Sequence, residues 1–191
     1  MEVTANHVAK AAQRILGLLI AKDKAHGGMP ADIFSKLYDA LVQSVINYGT
    51  AIWGQKSYSS INKVQNRATK YFLGLHKKAS NAMANGDMGW DAPLTRQWLK
   101  VGQHWARLVN MNKNRLAYKV FRWSYNLAIR NNKNWVYRTI KQLQNLGITH
   151  SIKQQIDIGN IINTMKVGMH QQNEEEWRNE LNRNHAQGVL L

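Results

Sequence analysis

Helix breakers are nearly absent from this chain, and this feature limits its fold more than any other. In 191 residues the only prolines are Pro30 and Pro93. Proline disrupts a helix interior because it lacks a backbone N–H and clashes with the preceding turn. Apolar residues recur three and four positions apart, and no long stretch alternates apolar with polar residues as a half-buried strand does. The sequence therefore predicts an all-α fold, a basic helical bundle of at least five helices.

The first 50 residues predict two helices separated by a glycine pair. The first helix begins near Thr4, a residue type that caps helix N-termini, and ends at Gly27 and Gly28. Pro30 then opens the second helix, because proline is tolerated in a first turn. The core face of the first helix is predicted to be Val8, Ala12, Ile15 and Leu19. The core face of the second is predicted to be Ile33, Leu37, Leu41 and Val45.

A basic stripe is predicted on the back of a third helix, from about residue 60 to 75. Its apolar positions at helical spacing are Ile61, Val64, Ala68, Tyr71 and Leu75. Its cations Lys63, Arg67 and Lys70 follow the same spacing on the opposite side. The next residues, 79–95, are rich in Asn, Gly, Ala and Asp, which predicts a turn-rich connector.

Residues 92–156 contain no Asp or Glu, and two helices predicted there share one design. The first places Trp98, Val101, Trp105 and Leu108 on an apolar face and Arg96, Lys100 and Arg107 beside it. The second places Leu116, Val120, Trp123 and Leu127 on its apolar face and Arg115, Lys119 and Arg122 on its charged one. Without local acids these cations have no salt-bridge partners one turn away, which favours contact with phosphates over a merely solvated face.

The tryptophans of this region admit two interpretations. Aromatic rings can stack on exposed bases, but tryptophan at helical spacing among Leu and Val is more often core. We therefore expect a core position for Trp98, Trp105, Trp123 and Trp135.

The end of the chain changes sign. A helix from about residue 134 to 146 is predicted to end before Gly147. Asn173 is then predicted to cap a last helix whose first turn holds Glu174, Glu175 and Glu176, where the helix dipole favours carboxylates. These acids are not expected to contact phosphate.

The sequence offers no site for catalysis, metal or cofactor. It has no cysteine, and its seven histidines are scattered without metal-ligand spacing. The nearest approach to paired carboxylates is Asp87 with Asp91, in a stretch where Asp commonly bonds its own backbone. We therefore expect no catalytic residue, no bound metal and no cofactor.

Composition points to a polyanionic partner. The formal net charge is +15, and nucleic acid is the likeliest polyanion for such a surplus. The longest apolar run, residues 15–21, is far shorter than the roughly 20 residues of a spanning helix, so no membrane segment is expected. Without a secretion signal, a nuclear or cytoplasmic location is expected.

The run KLYDALVQSVINYGTAIWG, residues 36–54, is the first of several segments that share one resemblance. The others follow in register at residues 61–67, 72–75, 85–90, 105–111 and 119–123. Together they resemble the non-LTR retrotransposon reverse transcriptases of the jockey-like kind, and the resemblance covers about residues 8 to 147. In that family this region follows the catalytic palm and begins the thumb that grips the template-primer duplex.

The resemblance implies an organisation and a partial function. It implies a thumb-like helical region at 1–78. The composition of the chain predicts a connector at 79–95, a basic helical region at 96–147, and C-terminal helices with an acidic end at 148–191. The family's metal-binding Asp pair lies in the palm, which this sequence lacks. We therefore expect a chain that binds RNA or DNA without sequence preference and does not polymerise.

Two alternatives remain open at this stage. The basic helices could dock an acidic protein, as a repurposed interaction module. The chain could also be a truncated retrotransposon product with no selected function. No sequence feature predicts an oligomeric state.

Overall fold

The computed structural model describes residues 1–130, 134–148 and 157–186. Within these ranges no strand occurs, which confirms the all-α prediction and its minimum of five helices. The helices are α1 Glu2–Ala25, α2 Ala31–Leu37, α3 Ser44–Ile46, α4 Thr50–Trp53, α5 Ser59–Phe72, α6 Asn81–Asp87, α7 Pro93–Val109, α8 Leu116–Arg130, α9 Trp135–Asn145 and α10 Ile158–Ala186. A π-helical segment, Tyr38–Gln43, joins α2 to α3.

The chain divides into two compact units. The first unit comprises the described residues of 1–49, 56–93 and 173–191, and the second comprises those of 50–55 and 94–172. Of the predicted C-terminal segment 148–191, residues 149–156 and 187–191 lie outside the described residues.

In the first unit, α1 buries the predicted face but begins earlier than predicted. Val8, Ala12 and Leu19 are buried, as expected, and Ile15 is half-buried. The helix starts at Glu2, so Thr4 lies inside it and does not cap it. The backbone bond from Ala5 N to Met1 O already closes the first turn. The end of the helix is as predicted, since Gly27 and Gly28 adopt positive φ values of 75° and 100°.

The core face of α2 and the π-helical segment lies one residue later than predicted. Ile33 and Leu41 are exposed, whereas the buried row consists of Phe34, Tyr38, Val42 and Ile46. Both rows have helical spacing, but only the second carries aromatic rings. Phe34 stacks on Phe72 with centroids 4.7 Å apart, and Tyr38 stacks on Trp90 at 4.3 Å. Aromatic rings bury more apolar area than the aliphatic row would, and this decides which face turns inward.

A buried carboxylate fixes the end of α1. Asp23 accepts a hydrogen bond from Tyr71 Oη at 2.7 Å through Oδ2 and one from the Met29 backbone N–H at 2.7 Å through Oδ1. Partial burial and this bond to a carboxylate raise the pKa of Tyr71 to about 12. The pair connects α1, the loop that follows it, and α5.

The connector contains a short helix that the sequence did not predict. Ser80 caps α6 by accepting the backbone N–H of Met83 at 3.4 Å. Trp177 donates from Nε1 to the Ala82 carbonyl at 2.8 Å, and its ring lies so close to Gly86 that no Cβ would fit there. A stretch rich in turn-forming residues can therefore be helical here, because Ser80 caps the start of α6 and the Trp177 ring fills the space beside Gly86.

The predicted cap at Asn173 is wrong, because α10 runs through that position without a break. Asn173 Oδ1 instead accepts the backbone N–H of Ala92 at 3.1 Å. Glu174, Glu175 and Glu176 consequently lie in the middle of a 29-residue helix and not in a first turn. Residues on either side of Asn173 include no proline, so nothing in the chain obliges a helix to end there.

The second unit is built around Trp105, which is fully buried. Phe121 meets its ring edge to face at 5.1 Å, and Val136 and Leu143 belong to the same apolar cluster. The predicted apolar face of α7 is confirmed, because all four of its residues are buried. Helix α9 is capped by Asn134, whose Oδ1 accepts the Tyr137 N–H at 2.8 Å.

The predicted core face of α8 is wrong. This helix turns Tyr118, Phe121 and Ala128 inward. The four residues predicted as core are all on the surface, and they are Leu116, Val120, Trp123 and Leu127. As in α2, the row with aromatic partners is the buried one, since Phe121 and Tyr125 both contact the Trp105 ring. Trp98 and Trp105 are core as expected and Trp135 packs against the cluster, but Trp123 is not core.

Candidate nucleic-acid interface

The nine cations predicted to contact phosphate are divided between the two units. Lys63, Arg67 and Lys70 belong to the first unit. The other six belong to the second unit, and they are Arg96, Lys100, Arg107, Arg115, Lys119 and Arg122. The sequence gives the first unit 13 Lys and Arg against 10 Asp and Glu, a net charge of +3. It gives the second unit 13 against one, Asp157, a net charge of +12.

The three cations of α5 differ in how far they are available to a ligand. Lys63 and Arg67 are exposed, on the side of the helix opposite the buried Ile61 and Val64. Lys70 is half-buried and donates from Nζ to the Lys77 carbonyl at 2.9 Å. This bond uses one of the three ammonium N–H donors, so two remain for a phosphate.

The three cations of α7 lie along one side of the helix at spacings of four and seven. Arg96 and Lys100 are half-buried, and Arg107 is exposed. Half-burial is compatible with phosphate binding, because the aliphatic stem of Lys or Arg can cover apolar surface while its charged end reaches water.

His104 adds a titratable group to this side of α7. It is half-buried, and its ring meets Trp135 edge to face at 5.8 Å. Burial, and secondarily the positive charge of Arg107, lower the pKa of His104 below its usual value. The spacing of the histidines along the sequence did not predict a role for His104, although its position three residues before Arg107 places the two on neighbouring turns.

The third group of cations lies on α8 and at the residue before it. Arg115, which directly precedes α8, and Lys119 and Arg122 within it are all exposed, at spacings of four and three. Arg130, at the end of the helix, is exposed as well and was not among the predicted site residues. It lies eleven residues after Lys119, close to three full turns, and therefore on the same side of the helix.

The described ranges contain neither a metal-binding cluster nor a membrane-spanning helix. Within residues 1–130, 134–148 and 157–186, no three His, Asp or Glu side chains are grouped to share a metal ion. Asp87 ends α6 on the surface, and Asp91 is half-buried beyond it. No helix of the described part combines the length and the apolar character needed to cross a membrane.

Comparison of the chain with known protein families, with curated proteins and with solved structures returned no match.

Proposed function

We propose that this protein binds RNA or DNA without sequence preference, through phosphate contacts made by the basic sides of α5, α7 and α8. The binding corresponds to the holding of template and primer by a non-LTR retrotransposon reverse transcriptase, the family that the sequence resembles. Polymerisation is not part of the proposal. A primer-extension assay with Mg²⁺ or Mn²⁺ should give no incorporation above a heat-killed control, since the paired carboxylates of two-metal catalysis are missing from the sequence.

The charge of the second unit is the observation that carries the proposal. Its net charge of +12 falls on about 85 residues with one acid among them. Such a surplus repels itself and is relieved when a polyanion approaches. Cations that merely solvate a surface are usually interspersed with acids, and here they are not.

The arrangement on α8 supports direct phosphate contact. Arg115, Lys119 and Arg122 are exposed and fall on one side of the helix. Side chains three and four residues apart on a helix are neighbours, so the three charges form one strip and not isolated points. Helix-turn-helix, homeodomain and zinc-finger patterns, which read base edges, do not occur in the sequence, and this favours binding without sequence preference.

Salt dependence tests the proposal directly. On duplex DNA, log affinity falls against log salt with a slope of about −0.9 for each phosphate neutralised. The substitutions R115Q, K119Q and R122Q remove three contacts while keeping side chains that favour helix, so the slope should flatten by about 2.7. Fluorescence anisotropy of labelled duplex between about 50 and 200 mM salt measures this change.

A matched variant separates a binding surface from a general attraction. The substitutions K10Q, R14Q and K22Q remove the same charge from exposed positions of α1. We expect their slope to equal that of the unmodified protein. Equal flattening in both variants would mean that net charge alone attracts the nucleic acid, and the proposed surface would be wrong.

A further inference from the structure

Helix α8 carries a row of large apolar side chains on its surface, called here the apolar row. It consists of Leu116, Val120, Trp123 and Leu127, which are exposed by 75%, 53%, 64% and 36%. Their spacing of four, three and four keeps them on one side of the helix for three turns, a length of about 16 Å. The same spacing forms the contact seam between two packed helices in coiled coils.

The apolar row is not needed for the fold of its own unit. The opposite side of α8 already supplies the core with Tyr118, Phe121 and Ala128. Single exposed apolar residues are normal on a protein surface, and Leu18 and Val167 are examples here. Four in one unbroken row are different, because a contiguous apolar patch marks a surface that another molecule covers.

The two borders of the apolar row differ in chemistry. On one border, Lys119 lies within one turn of both Leu116 and Trp123, and Arg130 lies one turn beyond Leu127. On the other border, the corresponding positions are the small residues Ala117 and Ser124. The small side chains of Ala117 and Ser124 allow the backbone of a second helix to approach closely. Lys119 and Arg130 form the basic border and favour negative charge opposite them.

We infer that α8 docks an amphipathic helix of a partner protein, which packs its own apolar row along these residues and sets Asp or Glu opposite Lys119 and Arg130. This is recognition of a helix by a helical surface, with anchors read at three- and four-residue spacing. Trp123 is the expected main anchor, because buried tryptophan contributes strongly at protein interfaces. Helix docking does not require the proposed nucleic-acid binding, although both use Lys119.

Charge and shape favour this occupant over two others. A symmetric pair of copies would place the same patch on both sides and bring two basic borders of a +15 protein together. The acidic stretch of another copy is a poor substitute, since its Trp177 already packs on Gly86 and donates to Ala82. Bases stack on aromatic faces, and three of the four residues in the row are aliphatic.

The test uses synthetic peptides of about 20 residues, long enough to form a helix alone. The probe has leucine in a four-three row with glutamate along one border. A second peptide keeps the leucines and replaces glutamate by lysine, and a third keeps the glutamates and replaces leucine by glutamine. We expect only the first peptide to bind. The variant V120Q/W123Q should weaken it roughly tenfold or more and leave binding of duplex DNA and single-stranded RNA within about twofold.

Charge reversal identifies the border and guards against a loss of fold. The variant K119E/R130E should lose the glutamate peptide and gain the lysine peptide, because complementary charge selects the partner. An unfolded protein cannot gain a ligand in this way. Both variants alter exposed positions, so circular dichroism should show unchanged helix content.

Three outcomes would overturn the inference. One is equal binding of the glutamate peptide by the unmodified protein and by V120Q/W123Q. Another is a loss of RNA affinity in that variant without a loss of peptide affinity, which would make Trp123 a base-stacking residue. The third is self-association of the unmodified protein, measured by sedimentation, that V120Q/W123Q abolishes, which would make a second copy the occupant.

Discussion

The two units carry the same number of cations and manage them in opposite ways. In the first unit acids are nearly as numerous, and some make specific contacts: Lys36 lies 3.3 Å from Asp32, and the Asp23 carboxylate is held by Tyr71. In the second unit Asp157 is the sole acid for 13 cations. The first unit can compensate its charge internally, whereas the second must do so with salt, nucleic acid or an acidic partner.

The units also differ in their buried glutamines. Gln65, in the first unit, donates from Nε2 to the Asp91 carbonyl at 3.0 Å and to Asn85 Oδ1 at 3.3 Å, and only its Oε1 has no partner in the described part of the chain. Gln97, in the second, is 1% exposed, and neither of its amide atoms has a hydrogen-bond partner among the described residues. An unmade hydrogen bond in the interior destabilises a fold. The second unit therefore has two destabilising features, an excess of positive charge and a buried amide with neither atom hydrogen-bonded. Its core of large aromatic rings offsets them.

The largest effect is expected from removing the centre of that core. Trp105→Ala should lower the free energy of unfolding by about 3–5 kcal/mol, since it deletes a fully buried ring and leaves a cavity. Hydrogen exchange should locate the loss in α7 and α9. Leu16→Ala is the counterpart in the first unit, with an expected loss of about 2–5 kcal/mol in α1 and α5. If both variants lose protection equally in all helices, the two units do not unfold separately and the comparison between them is wrong.

Opposite signs are expected from the same substitution at the two glutamines. Gln97→Met replaces an unpaired amide by an apolar side chain of similar shape and should stabilise the protein by about 1–2 kcal/mol. Gln65→Met removes the donor of two hydrogen bonds, to the Asp91 carbonyl and to Asn85 Oδ1, and should destabilise by about 1–3 kcal/mol. Denaturant midpoints at a common slope measure both. If both substitutions destabilise the protein, the Gln97 amide contributes to stability in a way other than the hydrogen bonds considered above.

A smaller effect is expected from salt. Raising the concentration from about 50 to 500 mM screens exposed charges more strongly. It should stabilise the second unit by roughly 1 kcal/mol or less and change the first unit little, because only the second repels itself. Amide exchange at the two concentrations, read separately for α8 and α1, provides the measurement. Stabilisation of α1 by as much as α8 would contradict the charge comparison.

Two effects of pH are expected, one in each unit, the first on the acidic side of neutrality and the second in the alkaline range. The folded second unit holds His104 with a lowered pKa, so the unfolded chain takes up a proton there more readily. This difference does not change the free energy of unfolding at pH values above the ordinary histidine pKa. As pH falls below about 6.5, it destabilises the folded unit. Titration of the imidazole by NMR should show the low pKa, and Arg107→Gln should raise it part of the way.

The alkaline end concerns the first unit. Since the folded state holds the Tyr71 proton up to a pKa of about 12, against 10.0 in the unfolded chain, its contribution to stability is full below pH 10. That contribution is lost as pH rises from 10 to 12. Tyr71→Phe should remove this pH dependence. If the phenol of the unmodified protein titrates near pH 10 by ultraviolet absorbance, the assigned bond to Asp23 does not hold in solution.

How much the sequence could predict depended on how many apolar rows a helix offers. Helix α7 has one such row, centred on Trp105, and its assignment to the core is confirmed. Helix α8 and the α2 region each have two, of which only one contacts aromatic rings elsewhere in the chain, and periodicity cannot choose between them. The choice was made by rings elsewhere in the chain, such as Trp105 for Phe121, whose proximity no local pattern reveals.

The candidate interface was predictable in its charge but not in its accessibility. The stretch without acids is visible in the sequence, and so are the cations at helical spacing. The bond of Lys70 to the Lys77 carbonyl and the burial of His104 depend on tertiary packing. For the same reason the exposed row beside Lys119 could not be separated from core before the fold was known.

The π-helical segment Tyr38–Gln43 gives this chain a place where its length can change. Residues spaced by four drift about 40° at each step along an α-helix, so a row such as Phe34 to Ile46 would drift by about 120°. The wider π turn takes up an additional residue and keeps that row on one side. A descendant that lost one exposed residue here, such as Ala40, would regain a regular α-helix with the buried row still on one side. Elsewhere in a helix, an insertion or deletion would turn the buried row away from the core. At this turn it would only convert π-helical geometry to α-helical geometry or the reverse.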